Sequence, residues 1–168
     1  MQGGDSDSRF CAYELWTRII TAYTSSSLTK AQDKLIAISR IANYMANIIQ
    51  NNYVAGMWRR FLPSQLMWAP VRVGDLFNRN YTIPAKPDAY RAPTWSWASV
   101  DAHVIHGTVT DAWIRLQVED ISLDYVSNGK FGLLKGGRLI LRGVLKRICL
   151  YQNPDANLFF DRWLLSIN

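Results

Sequence analysis

The chain has 168 residues, 49% hydrophobic, 12% aromatic and 19% charged, which excludes a largely disordered polypeptide and matches one globular domain or two small ones. A chain of this length removes roughly 70% of its unfolded surface from water, so a sizeable core forms without disulfides or metal. The net charge of +6 is mostly scattered; the exception is Tyr125 to Pro154, which holds Lys130, Lys135, Arg138, Arg142, Lys146 and Arg147 and no acid. Cys11 and Cys149 lie far apart with no CxxC pair, as expected of free thiols in a reducing compartment. The N-terminus lacks a charged and then apolar leader, and no apolar run approaches the roughly 18 residues of a membrane span. A soluble, cytoplasmic protein without a membrane partner is expected.

Residues 1–9 are rich in Gly, Ser and Asp and are expected to be disordered. A helical segment follows over residues 10–69. In it Leu15, Trp16, Ile19, Ile20 and Tyr23 form a first apolar stripe, and Leu35, Ile38, Ile41, Ala42, Met45, Ile48 and Ile49 form a second. Thr29 with Gln32 has the form of a capping box ahead of the second helix, which stops at Asn51-Asn52. Shorter amphipathic stretches are predicted over Tyr53 to Phe61 and around Ser64 to Trp68. Residues 70–93 hold four of the six prolines and read as a connecting loop.

From residue 94 to 168 the pattern turns to strands. The run Thr94 to Val100 puts Trp95 and Trp97 on one face of a strand. Ile114, Leu116 and Val118 share one parity and Ile121, Leu123 and Tyr125 the other, which predicts a bulge or break at Glu119-Asp120. Phe131 to Lys135, Gly136-Gly137 and Arg138 to Leu145 read as a hairpin turning at the adjacent glycines. Leu158 to Phe160 and Trp163 to Ile167 are candidate further strands. The expected fold is α+β, an N-terminal helical half packed through one shared core on a small C-terminal antiparallel sheet or partial barrel.

Candidate chemistry is sparse. His103 and His106 have the spacing of a metal-ligand pair, but a tetrahedral site needs three or four donors and no third stands nearby. The chain has no nucleophile elbow and no phosphate loop. Arg138, Arg142 and Lys146 share one strand face and form a candidate anion-binding surface. Glu119, Asp120 and Asp124 on the preceding strand are placed to neutralise it, and no aromatic groups interleave to stack bases, so nucleic acid is disfavoured. Trp16, Trp58, Trp68, Trp95 and Trp97 are expected to fill the core rather than line a pocket.

Three segments in series resemble fungal heterokaryon incompatibility (HET) domain proteins, in the region downstream of the HET domain itself. The first is Trp16 through Tyr23 and Leu28-Thr29 to Asp33-Lys34-Leu35-Ile36-Ala37-Ile38-Ser39. The second is Tyr53-Val54-Ala55-Gly56-Met57-Trp58 followed by Leu66-Met67-Trp68. The third is Arg91-Ala92-Pro93-Thr94-Trp95-Ser96-Trp97-Ala98-Ser99. The match covers residues 13 to about 107, with Arg40 standing where the family has Gly. The resemblance implies a role linked to non-self recognition and programmed cell death. It also implies that Trp16, Asp33, Tyr53, Gly56, Trp58, Trp68, Pro93, Trp95 and Trp97 are structural motif residues. The chain carries no Ala-Leu-Ser-Tyr-x-Trp-Gly motif of the HET domain and therefore resembles a C-terminal fragment. The expectation is a non-catalytic accessory or interaction region with no cofactor, its partner a HET domain or another protein. The alternatives are an anion- or nucleic-acid-binding module using the basic hairpin, and a nucleotide hydrolase relying on His103, His106 or Asp101.

Overall fold

The computed structural model describes residues 3–26, 31–71, 87, 89–107, 114–127 and 129–144, with side chains from residue 10. The chain is α+β, with helices first and small antiparallel sheets after them. Helices α1 (Gly3–Ser25) and α2 (Lys34–Ile49) are followed by a short hairpin of β1 (Tyr53–Val54) and β2 (Met57–Trp58), then by α3 (Leu62–Gln65). Strand β3 (Ala69–Pro70) pairs with β4 (Val104–Ile105), and β5 (Leu116–Tyr125) pairs with β6 (Leu134–Gly143), all antiparallel. The strands form two-stranded sheets and close no barrel among the described residues.

Helix α1 begins at Gly3, inside the stretch expected to be disordered. Once a helix is nucleated by its packed segment, each further turn adds a hydrogen bond per residue at small cost. Its buried stripe is Ala12, Tyr13, Trp16, Ile20 and Thr24, whereas Leu15 is 48% exposed. The helical step of about 100° carries Leu15 away from the face that Trp16 and Ile20 define.

Helix α2 is preceded by a 3-10 turn (Ala31–Asp33) and its N-cap, Asp33, makes no side-chain cap bond. Thr29 of the expected capping box lies outside the described residues. The helix ends at Gln50 in a left-handed conformation (φ 50°), whose N–H donates to the Ala46 carbonyl at 2.9 Å. Its buried face is Lys34, Leu35, Ile38, Ala42, Met45 and Ile49. Ile41 and Ile48, expected in the core, are exposed on its flank.

Two further expectations are corrected by turn chemistry. Tyr53 to Trp58 is a hairpin and not a helix, because Ala55 (φ 48°) and Gly56 (φ 94°) both adopt the positive φ of a two-residue primed turn. Every residue from Tyr53 to Trp58 is buried, so no alternation marks the strands in the sequence. Thr94 to Ser99 is likewise not a strand. The Pro93 carbonyl accepts from Ser96 N–H (2.9 Å), and Ser96 caps a 3-10 turn, Trp97–Ser99, by accepting from Ala98 N–H at 3.1 Å.

The bulge is where the parity change places it, at Glu119, where the β5–β6 register shifts between Val118 and Asp120. The turn is not at Gly136-Gly137, which pair inside β6 with Asp124 and Leu123. The chain reverses between Tyr125 and Leu134, where Val126 N–H donates to the Leu133 carbonyl at 2.9 Å. Gly137 serves close packing instead: a Cβ there would sit 2.5 Å from Pro93 Cγ. Pro70 pairs with Val104 in β3, so regular pairing continues into the start of the Pro-rich segment. The candidate strands Leu158 to Phe160 and Trp163 to Ile167 lie outside the described residues.

One core cluster joins these parts. It runs from Ala12, Trp16 and Ile20 of α1 through Ile38 and Met45 of α2 and the β1–β2 hairpin to Trp97, Val104 and Leu134. Val104 N–H donates to Thr24 Oγ1 at 3.0 Å, which ties β4 to α1.

Candidate functional site

The motif residues converge first on a backbone carbonyl. The Gly56 C=O accepts the indole N–H of Trp97 at 2.9 Å and that of Trp16 at 3.2 Å. The neighbouring Ala55 C=O accepts the Ser96 hydroxyl at 2.6 Å. Both carbonyls belong to the tight turn, which projects them away from the hairpin ladder and leaves them to be satisfied by side chains. Gly56 is required twice over, by its φ and because a Cβ would meet Trp97 Nε1 at 2.6 Å. Around this knot Trp16 meets Trp58 edge-on at 5.4 Å and Tyr53 at 6.0 Å. Burial pushes the Tyr53 phenol well above its ordinary value of 10.0, which keeps it protonated.

Gln65 completes the frame. Its Oε1 accepts from Trp58 N–H at 3.1 Å and its Nε2 donates to the Trp58 carbonyl at 2.9 Å, so one fully buried amide stands in for a neighbouring strand. Trp68 Nε1 donates to the Trp95 carbonyl at 2.9 Å; both rings are half-buried at the core's edge.

A second, polar cluster lies beside the knot. Lys34 and Arg91 are 4% and 3% exposed and share the carboxylate of Asp101, Arg91 at 2.7 Å and Lys34 at 3.6 Å. Arg91 Nε also donates to the Ala98 carbonyl at 2.6 Å, Lys34 Nζ donates to the Val100 carbonyl, and the Tyr23 hydroxyl donates to the Lys34 carbonyl at 2.8 Å. Burial, then the nearby Arg91 cation, lowers the Lys34 pKa, while Asp101 opposes both. These bonds pin the start of α2 to the segment that carries Trp97.

A cleft of about 170 Å³ opens next to this cluster, lined by Gln32, Asp33, Tyr90, Arg91, Val126 and Leu134. Lys34 and Arg91 share one acid, Asp101, and Asp33 lines the cleft. The Tyr23 and Tyr90 phenols are both raised, chiefly by burial and further by Asp33 and Asp124 respectively, and hold their protons.

The predicted site residues divide accordingly. Trp16, Tyr53, Gly56, Trp58 and Trp97 are brought together. Trp68 and Trp95 meet at the periphery, Pro93 packs against Gly137, and Asp33 stands apart at the cleft. His103 and His106 flank β4, Asp101 belongs to the Lys34–Arg91 cluster, and no group of three His, Cys, Asp or Glu able to hold a metal occurs among the described residues. Burial lowers the His106 pKa to about 4, and its two ring nitrogens have no hydrogen-bond partner among the described residues.

Arg142 pairs with Glu119 at 2.7 Å and Arg138 approaches Asp120 at 3.7 Å, so acids of β5 face both arginines; Lys146 lies outside the described residues. Sequence reasoning did not single out Lys34, Gln65, Arg91 and Ser96 as site residues. Lys34 left a periodic signal, since it falls one helical turn before Ile38 on the stripe that continues through Ala42, Met45 and Ile49, and Arg91 and Ser96 lie inside the third segment quoted above. No helix among the described residues is long and apolar enough to cross a membrane. No protein-family model, no curated protein and no solved structure matches the chain.

Proposed function

We propose that the chain is a non-catalytic accessory or interaction region of a fungal HET-type protein, acting within the cell in non-self recognition and cell death. One observation carries this reading. Each of the three segments that resemble the HET-associated region supplies residues of a single buried knot around the Gly56 carbonyl, which supports an architectural role for them. The resemblance supplies the biological setting. Its partner is then a HET domain or another protein. The anion-binding alternative loses force because Glu119 and Asp120 face the arginines of β6.

The test is to incubate the purified chain with NAD and with ATP, and to express it in a fungal host with and without a HET domain. No turnover above background is expected, together with a growth phenotype that requires both parts. Turnover that is lost in His103→Ala or His106→Ala would overturn the reading in favour of a hydrolase.

A further inference from the structure

The outer flank of α2 carries an apolar stripe that nothing in the knot uses. Ala37, Ile41, Tyr44 and Ile48 recur at spacings of four, three and four, which places them in one line along about 16 Å of helix. Ile41 is 44% exposed, Tyr44 68% and Ile48 42%, although Ile38, Ala42, Met45 and Ile49 on the adjacent face are fully covered. Scattered exposed apolar residues are ordinary, but an ordered row on one helix is the geometry by which helices recognise helices.

The charged residues along the row and past its C-terminal end are basic, and the acid nearest the row in sequence is Asp33 at the N-cap of α2. Arg40, exposed, follows Ala37 by three residues and precedes Tyr44 by four, so it borders the stripe on its solvent side. Arg59 and Arg60, both exposed, stand at the C-terminal end of α2, where Arg59 N–H donates to the Asn52 carbonyl and Arg60 N–H to Asn51 Oδ1, each at 2.9 Å. None of the three arginines forms an ion pair among the described residues. From Lys34 to Phe61 the sequence contains no Asp or Glu at all.

We infer that this flank of α2 docks an acidic amphipathic helix of a partner protein. The partner's apolar side covers Ile41, Tyr44 and Ile48, and its carboxylates meet Arg40, Arg59 and Arg60. Charge complementarity selects this occupant over a second copy of the chain, whose own α2 face would bring arginine against arginine. The inference rests on the reading of the chain as an interaction region.

The experiment measures binding of the whole purified chain to two synthetic amphipathic helical peptides with the same leucine face, one flanked by Glu and one by Lys. The Glu peptide is expected to bind more tightly by about tenfold or more, and more weakly as salt rises. Tyr44→Glu and Arg40→Glu should each weaken it by a similar factor while leaving the circular dichroism spectrum unchanged, and Gln117→Glu at an exposed position of β5 should not.

Equal binding of both peptides, or variants without effect, would overturn the proposal. So would preferential capture by phosphatidylserine vesicles, or self-association that Ile48→Glu abolishes. Turnover of NAD or ATP would sink the non-catalytic reading and leave the peptide result standing, so the two failures are distinguishable.

Discussion

Replacing Gly56 by alanine tests the architecture at its most constrained point. The added methyl group would lie 2.6 Å from Trp97 Nε1 and 2.9 Å from its Cε2, and the residue must hold φ at +94°. Indole is rigid and Trp97 is fully buried, so the ring has nowhere to withdraw without disturbing the core. The overpacking costs about 1 to 3 kcal/mol and the positive φ about 1 to 2 kcal/mol. Moving Trp97 off the Gly56 carbonyl leaves a buried indole N–H unpaired, at about 1 to 3 kcal/mol more. The sum, roughly 3 to 8 kcal/mol, is comparable with the entire stability of a domain, which is about 5 to 15 kcal/mol.

Urea unfolding followed by tryptophan fluorescence and far-ultraviolet circular dichroism reads this directly. Gly136→Ala is the control. Its Cβ would also come close, 2.7 Å from Asp124 Oδ2, but that oxygen ends an exposed side chain free to swing aside. Gly136→Ala should be neutral or slightly stabilising, because alanine restricts the unfolded chain more than glycine does. If Gly56→Ala unfolds within about 1 kcal/mol of the parent, the knot does not hold the fold and the reasoning fails.

Three other outcomes follow from the buried polar groups. Gln65→Leu strips both partners from the Trp58 backbone and should lower stability by roughly 2 to 5 kcal/mol in the same urea assay. Asp101→Asn leaves two buried cations without their carboxylate; because Asp101 is 40% exposed and water compensates in part, the loss should be about 1 to 3 kcal/mol by thermal melt. Adding Lys34→Met to that variant should recover part of it by removing the repulsion. His106 titrates at about 4 in the fold against 6.5 when free, so between these values the unfolded chain binds the extra proton and stability rises with pH. That contribution, up to on the order of 3 kcal/mol, is complete above pH 6.5 and disappears as pH falls to 4; the slope should be shallower in His106→Gln than in the parent.

The sequence by itself determined the order of the architecture and most of the buried apolar residues of α1 and α2. Helical periodicity located α1 and α2, because an amphipathic helix writes its buried face at a fixed spacing. The parity change at Glu119-Asp120 located a bulge, because a strand cannot present both sets of apolar residues to one face without an extra residue. The clustering of tryptophans also announced their packing role. Where every residue is buried, as from Tyr53 to Trp58, the pattern goes silent and the run imitates a helix. Only the tertiary structure decided that Ala55-Gly56 turns the chain and Gly136-Gly137 does not, since a glycine required by a close neighbour looks the same in sequence as one required by a turn. It also decided the pairing of Lys34 and Arg91 with Asp101 and the use of Gln65 as a substitute strand. Lys34 and Asp101 are distant along the chain whereas Gln65 and Trp58 are close, but in both cases the energy depends on burial that no local pattern encodes.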